Sequence, residues 1–335
     1  MPVTVVMHRA ALEAVGPRLS ALGLDLRFGV FDASGRLEIE GRAVAPSETE
    51  ADYLWLSPHV FREPGADRRA AMRAAFDLAL GLRRLDLMQT FNAGLDDPAY
   101  AEIARKGVRL CNSSAQGVAI AEYVMAQVFA LLHPVERQRA QQREKAWQVT
   151  PFREISRTSW LIVGHGPVGE ALALRVKAFG AEVAVVRRSP AKPEGADRVG
   201  TLADLPRLLP AADVIVLACP LTAETRGMAD AAFFAAVKPG AILVNVARGG
   251  LVDDAALLAA LDAGRPETAV LDVFDAEPLP ADSPFWTHPE VRVTPHTSFA
   301  GDGTQERWER QFLDTLPRYV RGEPLPREVD PRDLA

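Results

Sequence analysis

The sequence predicts an α/β protein organised around a doubly wound parallel sheet, and three observations carry that expectation. Six apolar runs of strand length recur after residue 158: "WLIVG", "EVAVV", "VIVLA", "AILVNV", "TAVLDV" and "VRVTP". These runs are continuous rather than alternating, so both faces of each strand should be buried, as in a parallel sheet covered by helices. Helical stretches such as "VGEALALRVKAFG" and "DDAALLAALDAG" separate most of them, and strands joined by helical crossovers build a doubly wound sheet. In the second stretch Asp253 is placed as an N-cap and Gly264 falls just past the helix end.

The bounds fit. A chain of 335 residues suggests two domains or one large one. Hydrophobic residues make up 48% and charged residues 24%, as in a folded globular protein. The net charge is −6 and no long basic run occurs, which argues against a nucleic-acid partner. The first twenty residues include His8, Arg9, Glu13 and Arg18, too polar for a signal peptide. The most apolar long stretch, "GVAIAEYVMAQVFALLHPV", contains Glu122 and Gln127 and is too polar to span a bilayer. The two cysteines, Cys111 and Cys219, read as reduced, packed thiols of a cytoplasmic protein. No metal site is expected.

The N-terminal third predicts a smaller α/β unit. "VTVVM" and "YLWLS" read as strands and "ADRRAAMRAAFDLAL" as a helix, with the strand order left open. In "YLWLSPHV", Leu54 and Leu56 read as core, and Trp55 and His59 either pack in the unit or reach a ligand beyond the strand end. A long helical region begins near residue 113. Its residues Ile120, Val124, Val128 and Leu131 share one face, and a more exposed helix follows the break at Pro134. "VTPFREISRTS" reads as a surface loop. Near the C-terminus, Trp308, Phe312, Leu316 and Tyr319 form a stripe at helical spacing that should pack back on the N-terminal unit.

The sheet's first turn carries the first chemical signal. "WLIVGHGPVGEAL" sets Gly164, Gly166 and Gly169 in G-x-G-x-x-G spacing after a strand and at the start of a helix, with His165, Pro167 and Val168 completing the loop. Gly164 allows the tight turn, Gly166 lets a pyrophosphate approach the backbone, and Gly169 lets the helix pack close to the strand. The free amides and dipole of the helix N-terminus favour the phosphate. The loop predicts dinucleotide binding.

The next strand, "AEVAVVRRSP", ends before Pro190 in Arg187 and Arg188. About 20 residues past the glycines, an acid usually meets the 2′-OH of the NAD ribose. Arginine instead offers a planar fork that matches phosphate oxygens, so the preferred cofactor is expected to be NADP(H). Two solvated arginines beside an NAD(H) site are the alternative.

Ligands of such sheets bind beyond the carboxyl ends of the strands. "AILVNVARGG" delivers Arg248 there, "AVLDVFDAEP" delivers Asp272 and then Glu277, and "VRVTPHTS" delivers His296. Each could be a capping or loop residue alone. Together they suit carbonyl reduction. The cofactor supplies hydride, a histidine supplies the proton, a carboxylate favours and orients the imidazolium, and an arginine grips a substrate carboxylate.

At residues 160–300 the sequence resembles the D-isomer-specific 2-hydroxyacid dehydrogenases. The resemblance rests on "GHGPVG", "LACPLTAETRGM", "VKPGAILVNVARGGLVDDAAL", "LDVFDAEPLP" and "VRVTPHTS". Further upstream, "LMQTFNAGLDD" is similar to the family's substrate loop and "NSSAQGVAIAEYV" to its lead into the cofactor domain. The resemblance implies a Rossmann cofactor domain, residues 113–297, inserted in a flavodoxin-like substrate domain made of residues 1–112 and 298–335. It implies that Arg248 binds the substrate's carboxylate and carbonyl, that His296 is the acid/base with Glu277 as its partner, and that Asp272 lies near the nicotinamide carboxamide. Cys219, Pro220, Thr225, Val246 and Ala247 would line the cofactor, and backbone amides of Asn92, Ala93 and Gly94 would hold the substrate carboxylate. It also implies a homodimer formed near residues 118–150 and a cleft that closes to exclude water.

The departures refine this. The paired arginines resemble the family's NADPH-dependent glyoxylate and hydroxypyruvate reductases. Thr297, Ser298 and Phe299 stand where many relatives carry small, glycine-containing runs, and Phe299 would narrow the pocket towards small substrates. Phe91 and Asn92 are unusual in the substrate loop. The expected function is NADPH-dependent reduction of small 2-oxo acids, with a small-molecule substrate and neither nucleic acid nor membrane as partner. Three alternatives stay open: a D-3-phosphoglycerate dehydrogenase, for which no phosphate-binding cation can be placed; a dehydrogenase of a bulkier 2-oxo acid; and a cofactor-sensing corepressor that binds peptides.

Overall fold

A computed structural model describes residues 2–62, 65, 67–188, 191, 193–331 and 334. Pro190, expected to close the second strand of the cofactor sheet, lies outside the described residues. The chain packs into two units, Met1–Ala115 with Gln305–Ala335, and Gln116–Thr304.

The first unit contains β1 (Val3–His8), α1 (Arg9–Ser20), β2 (Leu26–Phe31), β3 (Leu37–Ile39), β4 (Arg42–Ala43), β5 (Glu50–Leu56), α2 (Arg68–Gly81), β6 (Arg84–Thr90), α3 (Pro98–Arg105) and β7 (Arg109–Cys111). Its sheet runs β4-β3-β2-β1-β5-β6-β7. The pairs from β2 to β7 are parallel, and β3 and β4 add an antiparallel edge. Five parallel strands ordered second, first, third, fourth, fifth form the flavodoxin-like arrangement. Side chains alternate between two cores, with Val6, Leu54 and Leu56 on one face and Val5, Met7, Tyr53 and Trp55 on the other. Asp67 and Asp97 cap α2 and α3 by accepting from the amides of Ala70 and Ala99.

The second unit contains α4 (Gly117–Leu132), α5 (Val135–Glu144), β8 (Ser159–Val163), α6 (Pro167–Ala178), β9 (Glu182–Val186), β10 (Arg198–Gly200), α7 (Leu205–Leu208), β11 (Val214–Leu217), α8 (Ala231–Ala236), β12 (Ile242–Asn245), α9 (Asp254–Asp262), β13 (Thr268–Leu271) and β14 (Val291–Val293). The sheet order is β10-β9-β8-β11-β12-β13-β14, and every pair is parallel. This is the Rossmann order with a seventh strand. Both faces are buried: Trp160, Ile162, Val183 and Val185 enter one core, Leu161, Val163, Ile215 and Leu217 the other. The sequence showed six of the seven strands. β10 escaped because its three residues include a single large apolar one, Val199, and only pairing with Ala184–Val186 makes it a strand. Asp253 caps α9 through the amide of Ala256, and Gly264 follows with φ +68°.

The chain leaves the first unit after Ala115 and returns to it after Thr304, a little beyond the expected boundaries. The reason is local bonding. Ser113 donates its amide to Asn92 at 2.8 Å within the first unit. Ser298 donates its amide to Asp272 at 2.9 Å, and Phe299 packs on a core of the second unit. Among the described residues no single helix is long and apolar enough to cross a membrane. Cys111 and Cys219 are free and buried, and burial pushes each thiol up to about 12.

Helix α10 (Thr304–Val320) closes the first unit. Phe312 stacks on Trp55 with ring centroids 4.0 Å apart, Tyr319 meets Tyr53 edge-on, and the Trp308 indole donates to the carbonyl of Phe91 at 3.0 Å. Trp55 and His59 are both buried in this unit. The neutral His59 ring joins β5 to α10: Nδ1 lies 3.0 Å from Ser57 Oγ, and Nε2 lies 3.2 Å from the Gln305 amide nitrogen, which also donates to Glu309. Burial lowers the His59 imidazole to about 4 from 6.5, with Arg62 and His8 adding to the effect and Glu309 opposing it. Between those two values the unfolded chain binds the proton that the folded chain refuses. Stability therefore falls as pH drops through that window, by about 3 kcal/mol. Urea unfolding at pH 7 and pH 4.5 should show His59→Gln losing less stability on acidification than the wild type. Parallel losses would refute the assignment.

Candidate active site

The glycine loop leaves β8 at the point where the strand order reverses, between β8 and β11. Gly164 has φ +107°, and a Cβ there would lie 2.5 Å from the carbonyl oxygen of Ala218. A Cβ on Gly169 would lie 2.1 Å from the carbonyl oxygen of Gly164. The chain's own packing thus demands glycine at both positions. Gly166 differs, because nothing stands within 4 Å of its would-be Cβ and its φ of −86° suits any residue. Beside it, Nε2 of His165 is buried without a hydrogen-bond partner among the described residues. An open backbone position and an orphaned donor or acceptor at a helix N-terminus fit a phosphate-bearing ligand. Pro167 occupies the first helical position of α6 and Val168 follows in its first turn, where amides have no intrahelical acceptor. Burial pushes the His165 imidazole down, the positive charge of Arg187 adds to this, and Glu170 opposes it.

Arg187 follows β9 directly. Its amide donates to Gly200 at 3.0 Å, which fixes the backbone against β10, and its side chain is half-buried while Arg188 is exposed. Beyond β11, Cys219 is buried and Pro220 exposed. Thr225 turns inward, and its hydroxyl donates to the Pro220 carbonyl at 2.7 Å and accepts from the Thr222 amide at 2.8 Å. Thr225 thereby braces the turn that carries Cys219 and Pro220.

The last residue of β12 is Asn245, which is buried. Its amide nitrogen donates to the Arg248 carbonyl at 2.9 Å and its oxygen accepts from the Ala247 amide at 3.1 Å. Val246 and Ala247 are buried between these two bonds, and the half-buried Arg248 is held in extended backbone. Asn245 is not among the expected site residues, although a polar residue inside "AILVNV" was a readable signal.

His296 and Glu277 come together. Nδ1 of His296 lies 2.8 Å from Oε2 of Glu277, while Oε1 accepts from the Phe274 amide at 3.0 Å. Burial pulls the Glu277 carboxyl upward, but the hydrogen bonds from His296 and Phe274 and the charges of His296 and Arg248 outweigh it, leaving it below the usual carboxylate range. His296 has φ +48°, in the left-handed region, where a non-glycine residue needs external support. That support comes from Asp272. Its carbonyl accepts the His296 amide at 2.8 Å. Its fully buried carboxylate accepts from Thr294 Oγ1 at 2.6 Å and from the amides of Thr297 and Ser298, each at 2.9 Å. Phe299 meets the His296 ring edge-on, with centroids 6.1 Å apart. With Nδ1 on Glu277, Nε2 is the nitrogen able to exchange a proton.

In the first unit, the loop after β6 is held from behind. The Asn92 amide nitrogen Nδ2 donates to Tyr100 at 2.8 Å, and the carbonyls of Asn92 and Ala93 accept from Ser113 and Asn112. These bonds leave the loop amides of Ala93 and Gly94 without an acceptor among the described residues.

Residues 125–298 match the family described as D-isomer specific 2-hydroxyacid dehydrogenase, NAD binding domain. The D-3-phosphoglycerate dehydrogenase of Mycobacterium bovis is 33% identical over 266 residues, covering 78% of this chain and 50% of the relative. The chain thus spans about half the length of the first curated relatives it matches. The glyoxylate/hydroxypyruvate reductase A of Serratia proteamaculans is 31% identical over 245 residues, covering 70% of this chain and 78% of the relative. The crystal structure of a D-isomer specific 2-hydroxyacid dehydrogenase from Xanthobacter autotrophicus, in complex with NADPH and MES, superposes with a TM-score of 0.75 at 29% identity and covers 99% of both chains. With its glycine loop at the sheet's reversal and its histidine–glutamate pair at the ends of neighbouring strands, the chain belongs to the D-isomer specific 2-hydroxyacid dehydrogenase family.

Proposed function

We propose that the chain is an NADPH-dependent reductase of small 2-oxo acids, with glyoxylate and hydroxypyruvate as first substrates. The observation that carries this reading is the His296–Glu277 pair at 2.8 Å, with the charge of Arg248 felt at the same carboxylate. The bound cofactor supplies hydride to the carbonyl carbon. His296 gives the proton on Nε2 to the carbonyl oxygen, so hydride and proton together make the 2-hydroxy acid. Glu277 fixes the orientation and tautomer of the His296 ring through Nδ1, and Arg248 grips the substrate carboxylate. Within the first unit, the amides of Ala93 and Gly94 are suited to donate to a carboxylate, whereas that of Asn92 already donates to Thr90 Oγ1 at 3.3 Å. Cys219, Pro220, Thr225, Val246 and Ala247 would line the cofactor, with Asp272 behind them on the nicotinamide side. The loop from Gly164 to Gly169, with His165, Gly166, Pro167 and Val168, takes the pyrophosphate. Arg187 and Arg188 take the 2′-phosphate, which makes NADP(H) the preferred cofactor and NAD(H) the weaker one.

The Serratia relative named for glyoxylate and hydroxypyruvate and the NADPH-bound Xanthobacter structure support this reading. The mycobacterial relative supports a second one, in which the substrate is D-3-phosphoglycerate. We further place the protein in the cytoplasm, where its two free thiols stay reduced. We also propose a homodimer. Trp147 and Val149 are fully exposed and Phe152 half-exposed in the segment after α5, and such a cluster of large apolar side chains marks an interaction surface.

Three outcomes are expected. His296→Asn should reduce turnover by at least about 100-fold, the scale of general acid catalysis, while calorimetry shows NADPH binding unchanged; near-normal turnover would remove the assigned role. Replacing Arg187 and Arg188 together by Ala should weaken NADPH by about 10- to 100-fold, the scale of charge-assisted hydrogen bonds, and leave NADH nearly unaffected. Equal losses for both cofactors would return the arginines to the solvent. Sedimentation should give a dimer for the wild type and a monomer for Trp147→Glu; an unchanged dimer would move the interface elsewhere.

A further inference from the structure

We propose that Tyr123, in α4, is a positioning residue for His296 and acts through the hydroxyl of Thr294. The inference rests on His296 being the acid/base group.

The direction of the hydrogen bonds follows from chemistry. Both oxygens of Asp272 already take amide protons, from Thr297 and Ser298, so they serve as acceptors. Thr294 Oγ1 therefore donates its only proton to Oδ1 of Asp272, at 2.6 Å. The Tyr123 hydroxyl, 2.6 Å from the same Oγ1, has to be the donor in its own bond. The result is a one-way chain from Tyr123 to Thr294 to Asp272. Burial raises the Tyr123 phenol, and the Asp272 charge adds to this against the bond with Thr294, so the hydroxyl keeps its proton at neutral pH.

The end of this chain is the turn that holds the histidine. Asp272 grips residues 294, 297 and 298 through its carboxylate and His296 through its carbonyl. The turn stands in the left-handed region at His296, a conformation that relaxes if its bonds loosen. Relaxation would swing the ring from Glu277. Tyr123 sits 173 positions before the histidine in sequence; its hydrogen bond goes to Thr294, which lies two residues before His296, and its leverage runs through that residue. Tyr123 fixes the Thr294 rotor, and that rotor supplies the side-chain donor to the Asp272 oxygen that also holds Thr297.

Long-range proton–nitrogen spectra of His296, assigned by their loss in His296→Asn and recorded at pH 8, report which ring nitrogen holds the proton. They need no substrate and no cofactor. In the wild type Nδ1 should carry it, fixed by Glu277. In Tyr123→Phe and Thr294→Val the two nitrogens should average, and Thr294→Ser, which keeps the hydroxyl, should restore the wild-type pattern. In turnover, kcat should fall about 10-fold, as for a misplaced catalytic group, with KM for NADPH unchanged. The double variant should be no worse than Thr294→Val, because both act on one chain. A wild-type pattern and kcat in Tyr123→Phe would overturn the proposal, as would a Thr294→Ser variant that behaves like Thr294→Val. If His296→Asn keeps its turnover, the assignment of the acid/base fails instead, and the spectra alone decide whether Tyr123 holds the ring.

Discussion

All seven strands of the second unit run in the same direction, and both faces of their sheet are covered by side chains. An unpaired polar group within such strands costs free energy in the core. Every strand must release its chain at the same edge, and there the backbone turns and polar side chains first become affordable. The glycine loop, Arg187, Asn245 with Arg248, Asp272 and His296 stand at or just beyond the ends of five strands for this reason. The chemistry is a consequence of parallel pairing before it is a matter of particular residues.

Turns at that edge are held by buried polar side chains reaching the main chain. Asn245 brackets Ala247 and Arg248, Thr225 ties Pro220 to Thr222, and Asp272 holds three residues around His296. A buried carboxylate is costly unless several donors meet it, and Asp272 meets three. The same bonds that satisfy its charge also stabilise the left-handed backbone of His296, so neither feature would persist without the other. Glycine does the equivalent work at Gly164 and Gly169, where close approach of backbone leaves no room for a Cβ.

The features readable in the sequence were those whose signal is local. Continuous apolar runs marked six strands, G-x-G-x-x-G marked the loop, and charged residues just after apolar runs marked Arg248, Glu277 and His296. Features made by distant pairing were not readable. β10 is a strand only because Arg198–Gly200 meets Ala184–Val186. The order of the first unit's strands depends on which edges pair, and its hairpin of β3 and β4 has too few residues to show a period. Tyr123 gave no signal, because its partner Thr294 lies 171 positions away, and the stretch around it reads simply as an apolar helix. Trp55 and His59 kept two readings in the sequence. The structure buries both, and it spends the polar atoms of His59 on Ser57 and Gln305.

Unlike the buried Asn245, Thr225 and Asp272, the histidine–glutamate pair meets solvent: its side chains are 41% and 36% exposed. On the proposed reading, each turnover takes one proton from Nε2 and leaves a neutral ring beside an ionised Glu277. The pair must then recover a proton from solvent before the next cycle. Burial would strengthen the attraction between the two charges but would slow that recovery and penalise the charged state. Exposure gives up part of the attraction and keeps the proton supply. Glu277 compensates through fixed contacts, with the Phe274 amide on one oxygen and the charge of Arg248 nearby, and its carboxyl stays ionised across neutral pH. On that reading the carboxylate stays constant while the proton passes through the histidine, as an acid reloaded at every cycle requires.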